Sequence, residues 1–264
     1  MILPKLTPLK IVLHRPIEGK LKSVTISRTP SGRYYASILC EAEMNPQPKQ
    51  QGREIGTDLG LNPFAVTSDG ERIAPPQHFR QSEAKLGRLQ RRLARKQKGS
   101  KGREKARLKV ARQHEKIANQ RQDFLHKLSR RLVDESQAIY VESLYVKGML
   151  GNHCLAKSIS DAGWGEFVRQ LAYKSAWYGC HFGQIDRFFP SSKHAACGAI
   201  YQDLSLSERE WLCPECGEWV DRDANAAQNI LTFGQLDRRA GTARTQRRGS
   251  VAIGRHVEPG SHPL

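Results

Sequence analysis

The sequence predicts a mixed α/β fold, and three observations support this prediction. Residues 22–43 alternate apolar and polar side chains around the turn Thr29-Pro-Ser-Gly32, which indicates a β-hairpin. Residues 53–75 contain three short strand patterns separated by glycine turns. A helical region, a compact strand in 136–144, another helix and another strand then follow. This order of elements is the one expected of an RNase H-like fold.

The composition indicates a nucleic-acid-binding protein of the reduced cytoplasm. The chain has 264 residues, a net charge of +17 and a pI near 9.9, which favours a polyanionic partner. No apolar run approaches the roughly 20 residues of a membrane helix, and the N-terminus lacks the features of a signal peptide. Three of the six cysteines cluster in one segment, as in a metal site. We therefore expect a cytoplasmic protein without a membrane partner.

The positive charge is concentrated in a predicted helical hairpin, residues 82–132. Between Lys85 and Arg131 there are eighteen Lys/Arg residues and three acids, a net charge of +15. Gly99-Ser-Lys-Gly102 breaks the stretch into two helical patterns with narrow apolar seams. A solvated surface normally mixes both signs of charge, so we expect phosphate binding without sequence specificity. The candidate nucleic-acid-binding residues are Arg88, Arg91, Arg92, Arg95, Lys96, Lys98, Lys101, Arg103 and Arg107.

Three carboxylates lie at the ends of separate core elements. Asp58 is in an apolar strand that opens into a glycine turn, Glu142 closes the strand "IYVES", and Asp223 begins a helix. Converging carboxylates of this kind can hold a pair of Mg²⁺ or Mn²⁺ ions, which would clamp the attacking water and the leaving oxygen of a phosphodiester. Each acid also has a structural interpretation, as a turn residue, an exposed strand end and a helix N-cap respectively. Asp221 is an alternative to Asp223, and its earlier position favours it as the cap.

The segment 194–230 contains one complete metal-binding knuckle, Cys213-Pro-Glu-Cys216-Gly. Cys197, separated from Cys213 by fifteen residues, is the only cysteine where a zinc ribbon would have a second pair. The residues alone leave open a degraded site, a site with a substitute ligand, or no site.

Six motifs of the sequence are "EIGTDLGLNPFAVTSDG", "AIYVES", "SISDAGWGEFVRQL", "RFFPSSK", "CPECG" and "DRDANAAQNI". In order and spacing they resemble the OrfB/TnpB proteins of bacterial and archaeal insertion sequences, which are similar to the ancestors of type V CRISPR effectors. The resemblance covers about residues 3–233. It implies a RuvC-like nuclease domain with an inserted zinc ribbon, guided to DNA by an RNA made from the end of the element. Its acidic triad falls on Asp58, Glu142 and Asp223.

The resemblance also bears on the incomplete knuckle. The family ribbon has two Cys-x₂-Cys pairs, and here the first position of the first pair falls on His194. Because Cys₃His zinc sites are common, we expect Zn²⁺ to be held by His194, Cys197, Cys213 and Cys216. A degraded knuckle that holds zinc weakly or not at all is the alternative.

The predicted organisation has five parts. Residues 1–48 are expected to be the remnant of an N-terminal wedge β-domain, since the family usually has a longer N-terminal region that grips guide RNA and target DNA. Residues 49–190 form the nuclease domain with its basic hairpin, 191–221 the zinc ribbon, 222–233 the final helix, and 234–264 a disordered basic tail. The expected function is a transposon-encoded, RNA-guided DNA endonuclease that uses two-metal hydrolysis. The alternatives are a nucleic-acid-binding accessory protein and a truncated, cleavage-inactive remnant.

Overall fold

The computed structural model describes residues 7–13, 16–43, 46–47, 52–186, 191–201, 203–205 and 207–240. The chain divides into two compact units, one made of Met1–Asn45 and Gln77–Asp123 and the other of Pro46–Pro76 and Phe124–Leu264. Within the described ranges, no helix has both the length and the apolar character needed to cross a membrane.

The first unit contains the predicted β-hairpin. Strand β1 (Lys20–Arg28) pairs with β2 (Tyr34–Glu41) in antiparallel fashion. The turn between them is closed by a hydrogen bond of 2.9 Å from the Gly32 N–H to the Thr29 carbonyl. Gly32 has a φ of +82°, a conformation that favours glycine because it has no Cβ. The hairpin and its turn are therefore confirmed.

Two helices follow at the predicted basic region. Helix α1 (His78–Ala94) and helix α2 (Lys101–Glu135) begin and end slightly outside the predicted limits of 82–132. The break between them falls at the glycine-containing segment identified from the sequence. Leu86 and Ile117 are buried, as expected for narrow apolar seams on otherwise charged helices.

An acid of the basic helices binds them to the hairpin. Glu115 of α2 accepts hydrogen bonds from the hydroxyls of Thr29 (3.2 Å), Ser31 (2.9 Å) and Tyr35 (3.2 Å), and pairs with Arg33 at 3.3 Å. The prediction placed residues 1–48 and the basic hairpin in different domains. The structure differs, because these contacts make the hairpin and the basic helices up to Asp123 one compact unit.

The second unit is built on a five-stranded mixed sheet in the order β5-β4-β3-β6-β7. Strands β3, β4 and β5 form the predicted antiparallel meander, and β6 and β7 continue the sheet in parallel with β3. The strands are β3 (Arg53–Leu59), β4 (Ala65–Thr67), β5 (Arg72–Ile73), β6 (Ser136–Glu142) and β7 (His181–Ile185). Helices α3 (Val146–Met149), α4 (Ala156–Ala162) and α5 (Trp164–Tyr178) lie between β6 and β7 in the chain. The predicted mixed α/β fold and its order of elements are confirmed.

One face of this sheet carries the main hydrophobic core. Alternate residues of β3 and β6, including Ile55 and Val141, are almost completely buried there. They belong to one cluster with Leu132 from the end of α2 and Phe167 from α5. Burial on this scale is the main stabilising contribution expected for such a unit.

The other face of the sheet is covered by the last helix, α6 (Arg222–Arg239). The helix backbone lies so close to β3 that a Cβ on Gly56 would be 2.1 Å from the Ala227 carbonyl oxygen and 2.5 Å from the Leu231 nitrogen. Further along the helix, a Cβ on Gly234 would be 2.2 Å from the Tyr140 ring. Two residues without side chains therefore allow a helix to lie directly on the strands.

The predicted end of this helix at residue 233 is wrong. Helix α6 continues to Arg239, so the first residues of the predicted disordered tail are helical. The missing side chain of Gly234 accommodates Tyr140, and Glu54 binds Gln235 at 2.8 Å and Arg238 at 3.0 Å, so the helix stays in contact with the sheet beyond residue 233. The rest of the predicted tail, 241–264, lies outside the described residues.

We expect Gly56→Ala to destabilise the chain by roughly 1–3 kcal/mol or more, because the new methyl group would overlap backbone atoms of α6 that cannot move independently. Gly165→Ala on α5 is the matched control, since a Cβ there meets no atom within 4 Å. The control should be neutral or stabilising by up to about 1 kcal/mol. Urea unfolding of the two variants and the wild type measures the difference, and equal stability of both variants would show that α6 does not lie this close to β3.

Candidate active site and metal centre

Asp58 and Glu142 lie side by side on adjacent strands. Strands β3 and β6 are parallel with Thr57 paired to Val141, and each carboxylate is the next residue along its strand. Asp58 lies on the same face as Gly56, and Glu142 on the same face as Tyr140, because side chains two apart on a strand point the same way. Both carboxylates therefore lie on the face of the sheet that α6 covers.

Asp223 reaches the same place from the helix. Asp223, Ala227, Leu231 and Gly234 are spaced by four, four and three residues, so they form one stripe along α6. The later members of this stripe contact the sheet at Gly56 and Tyr140. Asp223 is the member nearest the helix start, and its charge acts on Asp58 together with that of Glu142. The structure thus places the three carboxylates identified from the sequence near enough for the charges of Glu142 and Asp223 to act on Asp58.

The crowding of negative charge changes the acidity of Asp58. Burial and the neighbouring carboxylates of Glu142 and Asp223 raise the pKa of Asp58 from 3.8 to about 7, and Arg222 opposes this only in part. Such a shift arises when a carboxylate loses water and faces like charges without a compensating cation. Carboxylate oxygens of this kind are the ligands that hard divalent cations prefer.

Asp221 has a different role, as the sequence suggested. It is the N-cap residue of α6, and its side chain accepts a hydrogen bond of 2.8 Å from the Ala224 N–H. Arg72 of β5 forms an ion pair with Asp221 and lies 3.8 Å from a carboxylate oxygen of Asp223. Arg209 contacts the other oxygen of Asp223 at 3.3 Å. The sequence analysis did not identify either arginine.

The two knuckles have the same pattern of backbone hydrogen bonds. In the first, the Gly198 N–H donates to the His194 carbonyl at 2.9 Å, and in the second the Gly217 N–H donates to the Cys213 carbonyl at the same distance. Both glycines have positive φ, +80° and +70°. His194 therefore occupies the position in the first knuckle that Cys213 occupies in the second.

The four candidate ligands are assembled. The ligand atoms of His194, Cys197, Cys213 and Cys216 all lie within 4.8 Å of one another, so this group can hold a metal ion. The Nδ1 atom of His194 is 3.1 Å from the Cys197 sulfur and 3.4 Å from the Cys216 sulfur. Burial opposes ionisation of the Cys213 thiol, but hydrogen bonds from the Cys216 and Glu215 backbone lower its pKa to about 6. A thiolate, the form that binds metals, is thereby favoured.

Strands β8 (Glu210–Leu212) and β9 (Trp219–Asp221) carry the second knuckle between them, and helix α6 holds the first. The Asn225 side chain accepts a hydrogen bond from the Ala195 N–H at 2.8 Å and donates to the Ser191 and Lys193 carbonyls at 3.0 and 2.7 Å. Asn229 also donates to the Lys193 carbonyl, at 2.7 Å. Both asparagines are nearly fully buried. The sequence signal for this contact was the spacing of the two asparagines, four residues apart inside a helix. Asparagine has a low helix propensity, so two of them on one helix face indicate that their side chains make specific hydrogen bonds.

The predicted phosphate-binding residues lie on α1, on the beginning of α2 and on the connection between them. All of them are exposed except Arg103, which is half-buried. Arg103 donates to the Leu93 and Lys96 carbonyls, both at 3.2 Å. It therefore satisfies carbonyl groups at the end of α1 and is less available to a phosphate than its neighbours.

Two family models match the chain. Residues 37–153 match OrfB_IS605, described as a probable transposase, and residues 164–230 match the Cas12f1-like TNB domain. The first match includes Asp58, Glu142 and the basic helices, and the second includes the four metal-ligand candidates and Asp223.

Related proteins carry consistent names. A *Streptomyces pristinaespiralis* protein named as a candidate RNA-guided DNA endonuclease is 45% identical over 94% of this chain and 62% of its own length. InsQ of *Escherichia coli* K12, named in the same way, is 34% identical over 89% of this chain and 62% of its own length. This chain thus spans about three-fifths of the curated relatives it matches.

The solved structures show the same fold. The Cas12f1–sgRNA–target DNA complex aligns over 79% of this chain and 55% of the Cas12f1 chain, with a TM-score of 0.51 and 16% identity. A second Cas12f ternary complex aligns over 75% of this chain and 41% of its own, also with a TM-score of 0.51. The sequence matches extend through both the carboxylate and the Cys/His segments in the expected order. The chain belongs to the OrfB/TnpB family of insertion-sequence proteins.

Proposed function

We propose that this chain is a metal-dependent, RNA-guided DNA endonuclease of a transposable element. The observation that carries the proposal is the convergence of Asp58, Glu142 and Asp223 from β3, β6 and α6 on one face of the sheet. Glu142 and Asp223 raise the pKa of Asp58, and this repulsion between the carboxylates opposes folding. Such an arrangement is expected where a cation is to be bound.

The carboxylates fit Mg²⁺ or Mn²⁺ as the ion. All three offer oxygen, which these hard ions prefer, and none of the Cys/His ligands belongs to this set. Asp58, Glu142 and Asp223 would hold the ions, and ions bound there would activate water and polarise a phosphodiester. The chain itself contributes the fixed direction of each carboxylate, through two strands and one helix.

The basic helices supply the surface for the nucleic acid. Eight of the nine candidate residues are exposed arginines and lysines, all between Arg88 and Arg107 around the α1–α2 connection. Contacts to phosphates fix the position of a nucleic acid without reading its bases. Sequence choice is therefore assigned to a guide RNA, which the names of the relatives support.

The Cys/His group fits zinc. A tetrahedral site with Zn–S bonds of about 2.3 Å has ligand-to-ligand distances of about 3.8 Å. Those between His194 Nδ1 and two sulfurs, and between Cys197 and Cys213, are 3.1, 3.4 and 3.5 Å. The other ring nitrogen of His194 lies 3.5 Å from a Glu218 carboxylate oxygen, a partner of the kind that orients metal-binding histidines.

We expect the purified chain to contain close to one zinc ion, and His194→Ala to lose most of it, because three thiolates hold the ion less firmly than four ligands. His194→Cys should retain zinc, since it restores a pair of cysteines. Elemental analysis of protein prepared without chelator measures the content, and His153→Ala, an exposed histidine elsewhere, is the control. Zinc-free wild-type protein would contradict this assignment.

The acidity of Asp58 gives a prediction that requires no cleavage. Between about pH 4 and pH 7 the folded chain retains a proton that the unfolded chain has released, so the stability of the chain without added Mg²⁺ or Mn²⁺ falls as pH rises through this window. Asp58→Asn removes the titrating carboxylate and with it this loss of stability at higher pH. We expect it to stabilise the zinc-loaded chain by roughly 2 kcal/mol more at pH 8 than at pH 4.

The control for this measurement is Asp69→Asn. Burial acts against ionisation of Asp69, but the Thr67 hydroxyl and the Arg53 guanidinium outweigh it and hold its pKa below the usual value. Stability from Asp69 is therefore present above its ordinary pKa and is lost as pH falls, so Asp69→Asn should destabilise the chain at pH 8. If both variants shift in the same direction with pH, the acid cluster is not the cause.

The decisive test of the function is cleavage. With Mg²⁺ or Mn²⁺ and an RNA transcribed from the DNA that adjoins the gene, we expect the chain to cut DNA complementary to that RNA. Replacing Asp58, Glu142 or Asp223 by alanine should each reduce the rate by several orders of magnitude, because the ions would be misplaced. Asp221→Asn retains a capping oxygen and should cost far less.

A gel assay with labelled DNA measures the rates, and filter binding of the same RNA and DNA is measured in parallel. Cleavage that survives in all three alanine variants would show that the carboxylates are not the active site. Tight binding without cleavage by the wild type, under either metal, would favour the nucleic-acid-binding function instead.

A further inference from the structure

Arg72 lies in the same row of the sheet as the candidate active site. It pairs with Val66 on β4, and Val66 pairs with Asp58 on β3. Directly paired residues on neighbouring strands point to the same face, and strands are about 4.8 Å apart. Arg72 is thus on the face that carries Asp58, two strands and about 10 Å away. It stands at the edge of the sheet, beside the start of α6.

The Arg72 guanidinium contacts two acids with different roles. One terminal nitrogen pairs with Asp221, whose other carboxylate oxygen accepts the Ala224 N–H and caps α6. The other terminal nitrogen lies 3.8 Å from the Asp223 carboxylate. A single side chain therefore links the edge strand both to the helix cap and to a candidate metal ligand. Only a forked, planar cation can reach two carboxylates in this way.

Stability alone gives little reason for this contact. Arg72 is about half-exposed, and ion pairs at such positions contribute about 0–1 kcal/mol. The contact matters more for the orientation of the first helical turn than for stability. This turn lacks internal hydrogen-bond partners and is the part of a helix most free to move. An anchor at this point limits the directions that the Asp223 side chain can take.

We propose that Arg72 is a positioning residue: by holding Asp221 and Asp223 it fixes the first turn of α6, so that the Asp223 carboxylate faces Asp58 and Glu142 and the divalent cation binds tightly. The inference rests on the proposed metal-dependent function. In this proposal a residue of β5, an edge strand of two residues, fixes the orientation of a metal ligand on α6.

The direction in which metal affinity changes when Arg72 is replaced distinguishes this role from a purely electrostatic one. A guanidinium near a metal site repels the cation, so an arginine that acted only through its charge would weaken metal binding, and its removal would tighten it. A positioning residue has the opposite effect, since its removal lets the ligand turn away. Partners that orient metal ligands typically account for about 10- to 100-fold in affinity.

The experiment is titration of the zinc-loaded full chain with Mn²⁺, with free Mn²⁺ followed by electron paramagnetic resonance. We expect Arg72→Ala to weaken binding by about tenfold or more. Arg72→Lys keeps the charge but offers one nitrogen in place of the two that face Asp221 and Asp223, so it should also bind Mn²⁺ more weakly. Arg238→Ala is the matched control, because Arg238 is similarly exposed and pairs with Glu54 at 3.0 Å at the opposite end of α6. It should bind Mn²⁺ as the wild type does.

Each other outcome has a definite meaning. Unchanged or tighter Mn²⁺ binding by Arg72→Ala, or full affinity in Arg72→Lys, overturns the positioning role. If Arg72→Ala does not fold, as judged by its melting curve, Arg72→Lys decides alone. Asp223→Asn gives the background from other sites. A wild type whose Mn²⁺ binding equals that background refutes the proposed metal site and the inference with it, whereas binding lost in Asp223→Asn but insensitive to Arg72 refutes only the inference.

Discussion

The close approach of α6 to β3 is the constraint on which the rest of the second unit depends. Gly56 leaves no room for a side chain, and Ala227 and Leu231 fill the space with helix backbone. Because this contact fixes the helix both along its axis and around it, Asp223 lies over the strand ends that carry Asp58 and Glu142. The contact also makes the Asp58 carboxylate poorly solvated, which is the main cause of its raised pKa. A packing restriction between backbones thus sets both the geometry and the electrostatics of the candidate site.

The same helix serves the second metal-binding group. Its inner stripe faces the sheet, while Asn225 and Asn229 face the first knuckle and bind its backbone. Arg222 adds a hydrogen bond of 2.8 Å to the Ser205 carbonyl within the loop between the knuckles. The Cys/His group and the carboxylates are therefore not independent, since a disturbance of the knuckle acts on the helix turn that begins at Arg222 and includes Asp223.

The sequence was most informative where a local pattern determines the structure. Alternation and turn residues were sufficient to predict the hairpin and the strands, and strand ends indicated Asp58 and Glu142. His194 was identified through the resemblance to the family ribbon, because the spacing of the cysteines alone left the site open. Features that depend on contacts between distant segments were missed. Arg72 and Arg209 are ordinary arginines until the fold places them beside Asp223, and the Glu115 contacts join segments more than eighty residues apart. The continuation of α6 beyond residue 233 depends in the same way on distant contacts, since Gly234 accommodates Tyr140 of β6.

Because Asp221 caps α6, it fixes the residue at which the helix begins. The direction of each following side chain around the helix axis is set from there. Each residue of an α-helix turns by about 100° and advances by 1.5 Å, so the two steps from Asp221 to Asp223 determine the direction in which the second acid points. Adding or deleting one residue between them would turn Asp223 away from the sheet while leaving the composition of the segment almost unchanged. Insertions and deletions should therefore be excluded from this short interval even where substitutions are accepted, because such a change would alter the direction of a candidate metal ligand.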